Sequence, residues 1–365
     1  MLEIGVLLLC FFVVLEILWR VWKYYTTGRF PLLQVVDNAR KVDIFQSHPY
    51  SLYSKRPHSR GAYPSNGLGY AGVREYDVAR KDCSVRIMVV GGSTVEDHAP
   101  ELGPESSWPA ILEDLLNESF PSTTVEVINA GLSGYSSVES LVDFLLKGVD
   151  LKPDILIVYH NINDVLTIQM ADGFRSDYSH VRQAKSWRLS WAHKIPQVRV
   201  SFVYEFLRFM LIKQYGLANT ILDRISSPPW DSTEPFDSAR VKVFKRNIFN
   251  LASLAHANGC TPVLLKWECP WETDGVYPWA HMMQGDQCQI GEKYFQYIRA
   301  NNASLKEVAS QLDFCGYLDV GPIKRELFQS DNLHFTGVGL REMAERVAQK
   351  IEPTVRNIIE QSVKS

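Results

Sequence analysis

The sequence predicts an α/β domain in which a parallel sheet carries helices on both faces. Short apolar runs, rich in β-branched residues and closed by glycine or a polar turn, are typical of buried strands, and they alternate with longer amphipathic segments of helical spacing. Strands that alternate with helices in this way pair in parallel. The chain has 365 residues, 46% of them hydrophobic, which is enough to bury the core of one large domain or of two small ones.

The predicted helices and strands follow one another along most of the chain. The strands are predicted at residues 85–92, 124–129, 154–160, 261–267 and 316–320. After the first strand, apolar residues recur at helical spacing over residues 108–116. The helix after the second strand opens with a capping-box pattern formed by Ser136 and Glu139. Two further helices are predicted, at residues 238–257 and behind Thr336.

An apolar run at the N-terminus predicts a membrane anchor. The run extends from Ile4 to Trp19 and is interrupted by Glu16, which brings it close to the ~17–25 residues that a helix needs to cross a bilayer. It is preceded by MLE and leads into WRVWKYY, so it lacks the basic start and the small residues of a cleaved signal peptide. We therefore expect an uncleaved single-pass anchor at residues 1–23; a buried or surface-lying helix is the alternative.

Residues 24–80 show no sustained periodicity and contain many turn formers, so we predict an irregular linker that leads into a domain at residues 81–355. The alternation of strands and helices stops at about 167–237, which predicts an insertion. An added core layer is the favoured interpretation of this insertion, and a lid or membrane-contact surface is the alternative. Core or rim packing is likewise favoured over stacking on a sugar for Trp267, Trp271 and Trp279.

Composition excludes some partners. The 38 basic and 41 acidic residues nearly cancel, with no basic cluster interleaved with aromatic residues, so we expect no nucleic-acid partner. The cysteines form no CxxC pair, which argues against a zinc site or a disulfide framework, although a single bridge between Cys269 and Cys288 stays open. His98 and His160 lack a helix-spaced His/Glu motif, so we expect no metal, and no cofactor is needed.

Three glycine-rich or polar turns follow the first three predicted strands, at residues 91–94, 129–134 and 161–164. The carboxyl ends of parallel strands share one edge of the sheet, which is where ligands bind. The first turn, GGSTVEDHAPELG, has Glu and Asp where a phosphate-binding loop needs Lys and Ser or Thr, and it lacks the Gly-x-Gly-x-x-Gly of a dinucleotide loop. A plain tight turn and a turn that presents a serine nucleophile are the interpretations that remain, and the second needs partners elsewhere in the chain.

Ser93 is the candidate nucleophile, and a serine hydroxyl needs a base to take its proton. Near the C-terminus, Asp331 and His334 lie three residues apart, so Asp331 can accept the Nδ1 proton of His334 while Nε2 faces Ser93. Acyl transfer also needs donors for the developing oxyanion. The N–H groups of Ser93 and Gly134 and the side-chain amide of Asn163 follow neighbouring strands and fit that role.

In this order, the four segments resemble the signature blocks of the SGNH (GDSL-like) hydrolase family. GGST resembles the nucleophile block, NAGLSGYSS the oxyanion-glycine block, NIND the Gly-x-Asn-Asp block and DNLH the final Asp-x-x-His, and the resemblance spans residues 85–351. It implies a three-layer α/β/α flavodoxin-like domain. It also implies that the catalytic residues are Ser93, Asp331 and His334, and that the oxyanion hole is formed by Ser93, Gly134 and Asn163.

The chain departs from the pattern of this family at two positions. Gly92 stands where the name-giving aspartate usually lies, a change associated with membrane-attached bacterial members, and Asn161 stands where the third block usually has glycine. The near rival is the common α/β-hydrolase. Its nucleophile elbow reads Gly-x-Ser-x-Gly, whereas Val95 occupies the last position here.

The resemblance implies a serine esterase that removes O-acyl, especially O-acetyl, groups from carbohydrate, with lipid esters second. An acyltransferase would use the same site, and a non-catalytic anchored binding or assembly module is the contrasting class. The expected partners are an acylated small molecule, glycan or lipid, and the membrane. Arg20, Lys23 and Arg29 follow the apolar run that ends at Trp19 and favour a cytoplasmic domain, whereas a role on surface glycans requires the outside, so the side of the membrane stays open.

Overall fold

The computed structural model describes residues 2–27, 34–35, 45–60, 63–79, 84–99, 102–103, 105–169, 174–180, 198–199, 235–270 and 287–364. The described strands are β1 (Gln34–Val35), β2 (Phe45–His48), β3 (Leu52–Lys55), β4 (Ser84–Gly91), β5 (Thr124–Gly131), β6 (Ile155–Tyr159), β7 (Val198–Arg199), β8 (Thr261–Leu265) and β9 (Gly316–Leu318). The described helices are α1 (Leu2–Thr27), α2 (Ser93–Glu96), α3 (Trp108–Ser119), α4 (Ser137–Leu146), α5 (Ile162–Gln169), α6 (Ser238–Ala257), α7 (Gln287–Gln311) and α8 (Gly337–Lys364).

The chain divides into two compact units, the first formed by residues 1–43 and 184–228 and the second by residues 44–183 and 229–365. In the first unit, the structure describes α1 and the antiparallel pair of β1 and β7. The helix α1 covers the segment that the sequence predicts as an anchor. In the part of the chain that the structure describes, no helix is long and apolar enough to cross a membrane. A membrane-crossing anchor therefore stays a prediction from the sequence.

The second unit is built on a five-stranded parallel sheet with the strand order β5-β4-β6-β8-β9. Counted along the chain, this is the order 2-1-3-4-5 of flavodoxin-like folds. All five predicted strands are present, so the predicted parallel α/β sheet is confirmed. Every residue of β4 and of β6 is buried, and since neighbouring side chains point to opposite faces, both faces of the sheet are covered.

The helices that cover the sheet form two groups. In one group α3 packs against α8 and against the edge strand β5. In the other, α6 packs against α4, α7 and β8, and α7 also contacts α5. The capping box predicted at the start of α4 is present, because the Ser136 and Glu139 side chains each bond the backbone of the other residue. This pattern of two helix layers around one sheet agrees with the predicted layer architecture.

The first part of the second unit, residues 44–80, has more structure than the irregular linker that the sequence predicts there. Its described residues, 45–60 and 63–79, are called the lead-in below, and they begin with the antiparallel hairpin of β2 and β3. The lead-in then follows the edge strand β5: the N–H of Ala71 donates to the carbonyl of Asn129 at 3.0 Å, and the hydroxyl of Tyr76 donates to the carbonyl of Val127 at 3.0 Å. It therefore covers an edge that would otherwise expose unpaired backbone groups.

The predicted insertion at 167–237 lies largely outside the described residues. Within it, the structure describes residues 167–169, 174–180, 198–199 and 235–237. A core layer, a lid and a membrane-contact surface all stay predictions for the remainder. Of the three tryptophans considered for sugar stacking, Trp267 is buried in the core, and Trp271 and Trp279 lie outside the described residues.

A buried arginine fixes the amino ends of the central strands. Arg86 on β4 is fully buried, and its guanidinium donates to the carboxylate of Glu126 on β5 at 2.7 Å and to the carbonyl of Leu151 at 2.7 Å. Its backbone N–H donates to the carboxylate of Asp154 at 2.8 Å, just before β6. One side chain therefore ties β4 to β5 and to the turn that leads into β6.

Arg86→Met is expected to lower the free energy of unfolding by about 3–5 kcal/mol, because it leaves the Glu126 carboxylate without its buried partner. The matched control is Arg341→Met on α8, where the pair with Glu345 is largely exposed, and where the expected change is about 0.5 kcal/mol or less. Urea unfolding of the full chain measures both values. Equal losses in the two variants would contradict a structural role for the buried pair.

Candidate active site

The candidate nucleophile lies at the point where three strands end together. In the register of the sheet, Gly91 at the end of β4 pairs with Gly131 of β5 on one side and with Tyr159 of β6 on the other. Gly92 continues in an extended conformation, and Ser93 is the first residue of the one-turn helix α2. Ser93 is partly exposed, whereas the residues that follow it in α2 are buried. The turn therefore presents the serine at the surface of the sheet edge, as the sequence predicts.

The Asp331 and His334 pair lies in a tight turn before α8. The Asp331 carboxylate accepts the backbone N–H groups of Leu333 and His334, each at 3.0 Å. Asn332, which follows Asp331, has φ +55°, a left-handed conformation that asparagine tolerates better than most residues. Phe328 and Phe335 close the turn with an antiparallel bridge. These local bonds explain how two side chains only three residues apart come to lie side by side.

The structure brings Ser93, His334 and Asp331 into one hydrogen-bonded chain. Nδ1 of His334 lies 2.6 Å from Oδ2 of Asp331, and Nε2 lies 2.9 Å from Oγ of Ser93. A carboxylate can only accept, so Nδ1 carries the proton that it donates to Asp331. In the neutral imidazole, Nε2 is then the free acceptor, and it faces the hydroxyl of Ser93.

Burial and nearby charge act in opposite directions on the base. Burial alone would lower the pKa of His334, but the hydrogen bond to Asp331 and the negative charges of Asp97, Asp331 and Glu96 raise it above its ordinary value. Burial would raise the pKa of Asp331, and its hydrogen bonds from the side chain and backbone of His334 hold it below its ordinary value instead. The pair is thus stabilised as a charged imidazolium beside a carboxylate.

The second proposed oxyanion donor lies in the turn after β5. Gly134 is exposed and has φ +80°, a conformation that glycine adopts without steric cost. Among the residues that the structure describes, none accepts a hydrogen bond from the N–H of Gly134 or from the N–H of Ser93. Both donors are therefore available to a group bound at this edge of the sheet.

The third proposed donor, Asn163, lies directly against Gly92. Its side-chain amide donates one hydrogen to the carbonyl of Tyr135 at 2.8 Å, which leaves the second hydrogen for another acceptor. A Cβ atom at Gly92 would lie 2.3 Å from Nδ2 of Asn163 and 3.4 Å from the carbonyl oxygen of Tyr135. Gly92 therefore makes room for the amide beside Ser93, which gives a physical reason for glycine at this position of the chain.

Asn161 takes no part in the site. Its side-chain amide donates to the carbonyl of Ile298 and to the side chain of Asn302 on α7, each at 2.9 Å. Asn302 in turn bonds the backbone N–H and carbonyl of Trp267, which follows β8. The side chain of Asn161, the second departure from the pattern of the family that the sequence resembles, thus points into the core and ties the end of β6 to α7.

The two histidines considered as metal ligands make other contacts. Nε2 of His160 lies 2.7 Å from the hydroxyl of Ser140, and burial lowers the pKa of His160 to about 3. The ring of His98 packs edge-on against Tyr63 with centroids 5.2 Å apart. In the described part of the chain, no group of three or more His, Cys, Asp or Glu side chains is placed to hold a metal ion.

Several residues beside the site were not singled out from the sequence. Asp97 is buried one residue after α2, and burial raises the pKa of its carboxyl to about 6, against the opposing charge of His334. The amide of Gln329 donates to Asp97 at 3.3 Å, and the backbone N–H of Gln329 donates to the carbonyl of His334 at 2.7 Å. Glu96 ends α2 and pairs with the buried Lys55 of β3 at 2.6 Å. The sequence signal that could have identified Glu96 and Asp97 is that both are charged and closely follow the nucleophile turn in the chain.

Asp331→Asn is expected to lower the pKa of His334, because an amide does not stabilise the imidazolium as a carboxylate does. NMR titration of the imidazole in the full chain measures this pKa directly. The matched control is Glu345→Gln, which removes an exposed carboxylate on α8 and should leave the pKa of His334 unchanged. A His334 pKa that is the same in the wild type and in Asp331→Asn would contradict the described pairing.

No family model and no curated protein matches the chain. Among solved structures, an α/β-hydrolase enzyme from the metagenome of Lake Arreo is 14% identical with a TM-score of 0.42, and the match covers 72% of this chain and 93% of that one. A lipase/acylhydrolase from Enterococcus faecalis is 13% identical with a TM-score of 0.42, covering 74% and 96%. An acetyl xylan esterase from Geobacillus stearothermophilus is 14% identical with a TM-score of 0.41, covering 73% and 94%.

Proposed function

We propose that this protein is a serine hydrolase that acts on ester bonds, with Ser93 as the nucleophile. The observation that carries the proposal is the continuous chain from Oγ of Ser93 to Nε2 of His334 at 2.9 Å and from Nδ1 of His334 to Asp331 at 2.6 Å. A serine beside a histidine that a carboxylate orients is the arrangement that nucleophilic acyl transfer requires. Its place at the carboxyl ends of β4 and β6, where the strand order reverses, supports a ligand site.

In the first half of the proposed reaction, Ser93 attacks the ester. The hydroxyl proton passes to Nε2 of His334 while Oγ bonds to the carbonyl carbon. The imidazolium that forms is stabilised by the carboxylate of Asp331. When the tetrahedral intermediate collapses, the proton on Nε2 goes to the leaving alcohol oxygen, and the acyl group stays on Ser93.

Three donors are assigned to the oxyanion in this proposal. The N–H of Ser93 belongs to the nucleophile itself, the N–H of Gly134 comes from the turn after β5, and the amide of Asn163 comes from α5. The contact between Asn163 and Gly92 supports this grouping, because it brings the amide beside the nucleophile turn. Hydrogen-bond donors held in place before the reaction stabilise the transition state without reorganising.

The second half-reaction releases the acid. Neutral His334 takes a proton from water, the hydroxide oxygen attacks the acyl carbon, and the proton then returns to Oγ of Ser93. If a sugar hydroxyl replaces the water, the same steps transfer the acyl group. For the substrate we propose O-acyl, especially O-acetyl, esters of carbohydrate, with lipid esters second. This choice is supported only by the resemblance of the four sequence blocks.

Ser93→Ala should abolish both labelling by a fluorophosphonate probe and hydrolysis of p-nitrophenyl acetate, because the bond-forming oxygen is lost. The matched control is Ser310→Ala on the exposed face of α7, which should keep both. Gel fluorescence and absorbance measure the two readouts on the full chain. Wild-type protein that neither reacts with the probe nor hydrolyses the ester would contradict the enzyme and favour a binding module.

Gly92→Ala should lower kcat about 10²-fold, because the new Cβ displaces the amide of Asn163 and so removes one oxyanion donor. The amide is the end of a side chain and can move, so the fold should survive. Gly316→Ala on β9 is the matched control, since its Cβ would meet Val263 at an ordinary 3.4 Å, and its kcat should stay at the wild-type value.

The same interpretation makes a prediction for the double variant. In Asn163→Ala the amide is already absent, so adding Gly92→Ala should lower kcat little further. A full second loss of about 10²-fold in the double variant would show that Gly92 acts through something other than Asn163.

A further inference from the structure

We infer that Tyr53 and Glu96 are positioning residues that orient the N–H of Gly134 in the proposed oxyanion hole. The inference rests on the proposed function, because it concerns the same site. Both residues bond to Ser133, which shares a peptide unit with Gly134. Tyr53 belongs to strand β3 of the lead-in and Glu96 to the nucleophile helix α2.

Tyr53 acts on the carbonyl side of this peptide unit. Its hydroxyl donates to the carbonyl oxygen of Ser133 at 2.5 Å. In a planar trans peptide, the C=O of Ser133 and the N–H of Gly134 point in opposite directions. Holding the carbonyl at Tyr53 therefore holds the N–H on the opposite side. Burial raises the pKa of Tyr53 well above its usual range, so the hydroxyl keeps the proton that it donates.

Glu96 acts on the amide side of Ser133. Its Oε2 accepts the backbone N–H of Ser133 at 2.5 Å and also the Ser133 hydroxyl. Glu96 ends the short helix that Ser93 begins, so one helical turn both carries the nucleophile and holds the turn of Gly134. Nucleophile and oxyanion donor are thus fixed relative to each other by a single side chain.

Lys55 keeps this carboxylate in place. Nζ of Lys55 lies 2.6 Å from Oε1 of Glu96, and each side chain is only 1% exposed. A buried carboxylate without a partner would be strongly unfavourable, and the ammonium of Lys55 supplies that partner. Tyr53 and Lys55 are two residues apart on β3 and therefore point to the same side of the strand.

The turn needs such contacts because its own backbone does not select one orientation. Gly134 has φ +80°, and glycine populates positive and negative φ about equally. The next residue adds a further tie, because the hydroxyl of Tyr135 donates to the carbonyl of Tyr53 at 2.6 Å, and the two rings pack edge-on at 5.2 Å. Tyr53 of β3 therefore makes hydrogen bonds to the residues on both sides of Gly134, Ser133 and Tyr135.

The first test is Tyr53→Phe in the full chain, which removes one hydroxyl and keeps the ring. We expect kcat to fall about 10–100-fold, somewhat less than for outright loss of an oxyanion donor, with KM changed by about twofold or less. Binding of a trifluoromethyl ketone, which forms a tetrahedral oxyanion on the serine, should weaken by the same factor as kcat/KM. Circular dichroism checks that the variant is folded.

The matched control is Tyr76→Phe. Tyr76 also belongs to the lead-in, and its hydroxyl lies within hydrogen-bond distance of a backbone carbonyl, that of Val127 on β5, and of the carboxylate of Glu113. Its loss should change the melting temperature but not kcat or the affinity for the ketone. A merely structural role for Tyr53 would make the two variants behave alike.

The second test compares two double variants, Lys55→Met with Glu96→Gln and Lys55→Met with Glu96→Leu. Both remove the buried charges, and apolar or neutral replacement of a buried pair is commonly tolerated by the fold. The glutamine still offers an oxygen to the N–H of Ser133, whereas the leucine does not. We expect kcat to be about tenfold lower in the leucine variant than in the glutamine variant, with similar KM.

Different outcomes overturn different claims. A folded Tyr53→Phe with wild-type kcat and wild-type ketone affinity contradicts the role of Tyr53, and equal kcat in the two double variants contradicts the role of Glu96. If Tyr53→Phe does not fold, the pair of double variants still decides whether the turn is positioned from outside. A wild-type protein without esterase activity or probe labelling contradicts the proposed function, and with it the positioning role.

Discussion

The alignment of three strand ends is the constraint on which the rest of the site depends. Gly91 pairs with Gly131 on one side and with Tyr159 on the other, so the turns that follow β4, β5 and β6 start from one edge of the sheet. A shift of one residue in a strand would turn its buried side chains to the opposite face. Because β4 and β6 are buried along their whole length, such a shift would break the core as well as the site.

The electrostatics of the site reflect a compromise around His334. A more basic imidazole is a better proton acceptor, but it is also protonated over more of the neutral pH range. Burial and the three carboxylates of Asp97, Asp331 and Glu96 push its pKa in opposite directions. Lys55 is a buried cation that pairs with Glu96, so the negative charge behind the nucleophile is partly compensated within the protein.

Local signals in the sequence were sufficient for the sheet and for the turns that carry the candidate site residues. The apolar run of β4 and the glycines after it predict a strand and a tight turn, and the spacing of Asp331 and His334 predicts two adjacent side chains. Each of these features depends on residues close together in the chain. The catalytic roles of these residues stay predictions.

Contacts between distant parts of the chain could not be predicted in the same way. The hairpin of the lead-in has short strands of mixed polarity. Its importance for the site depends on two contacts, that of Tyr53 with Ser133 and that of Lys55 with Glu96. The reason for glycine at position 92 is the amide of Asn163, which the residues around Gly92 in the sequence do not indicate. Such pairings can be identified only in the folded chain, because the local sequence pattern does not indicate which residue the partner is.

The side chain of Asn161 has a consequence for how the molecule opens. Its bonds to Ile298 and Asn302, and those of Asn302 to Trp267, join the ends of β6 and β8 to the middle of α7. Detaching α7 would leave these buried amides without partners, which is costly in the interior of a protein. We therefore expect α7 to unfold together with the central strands rather than to detach on its own.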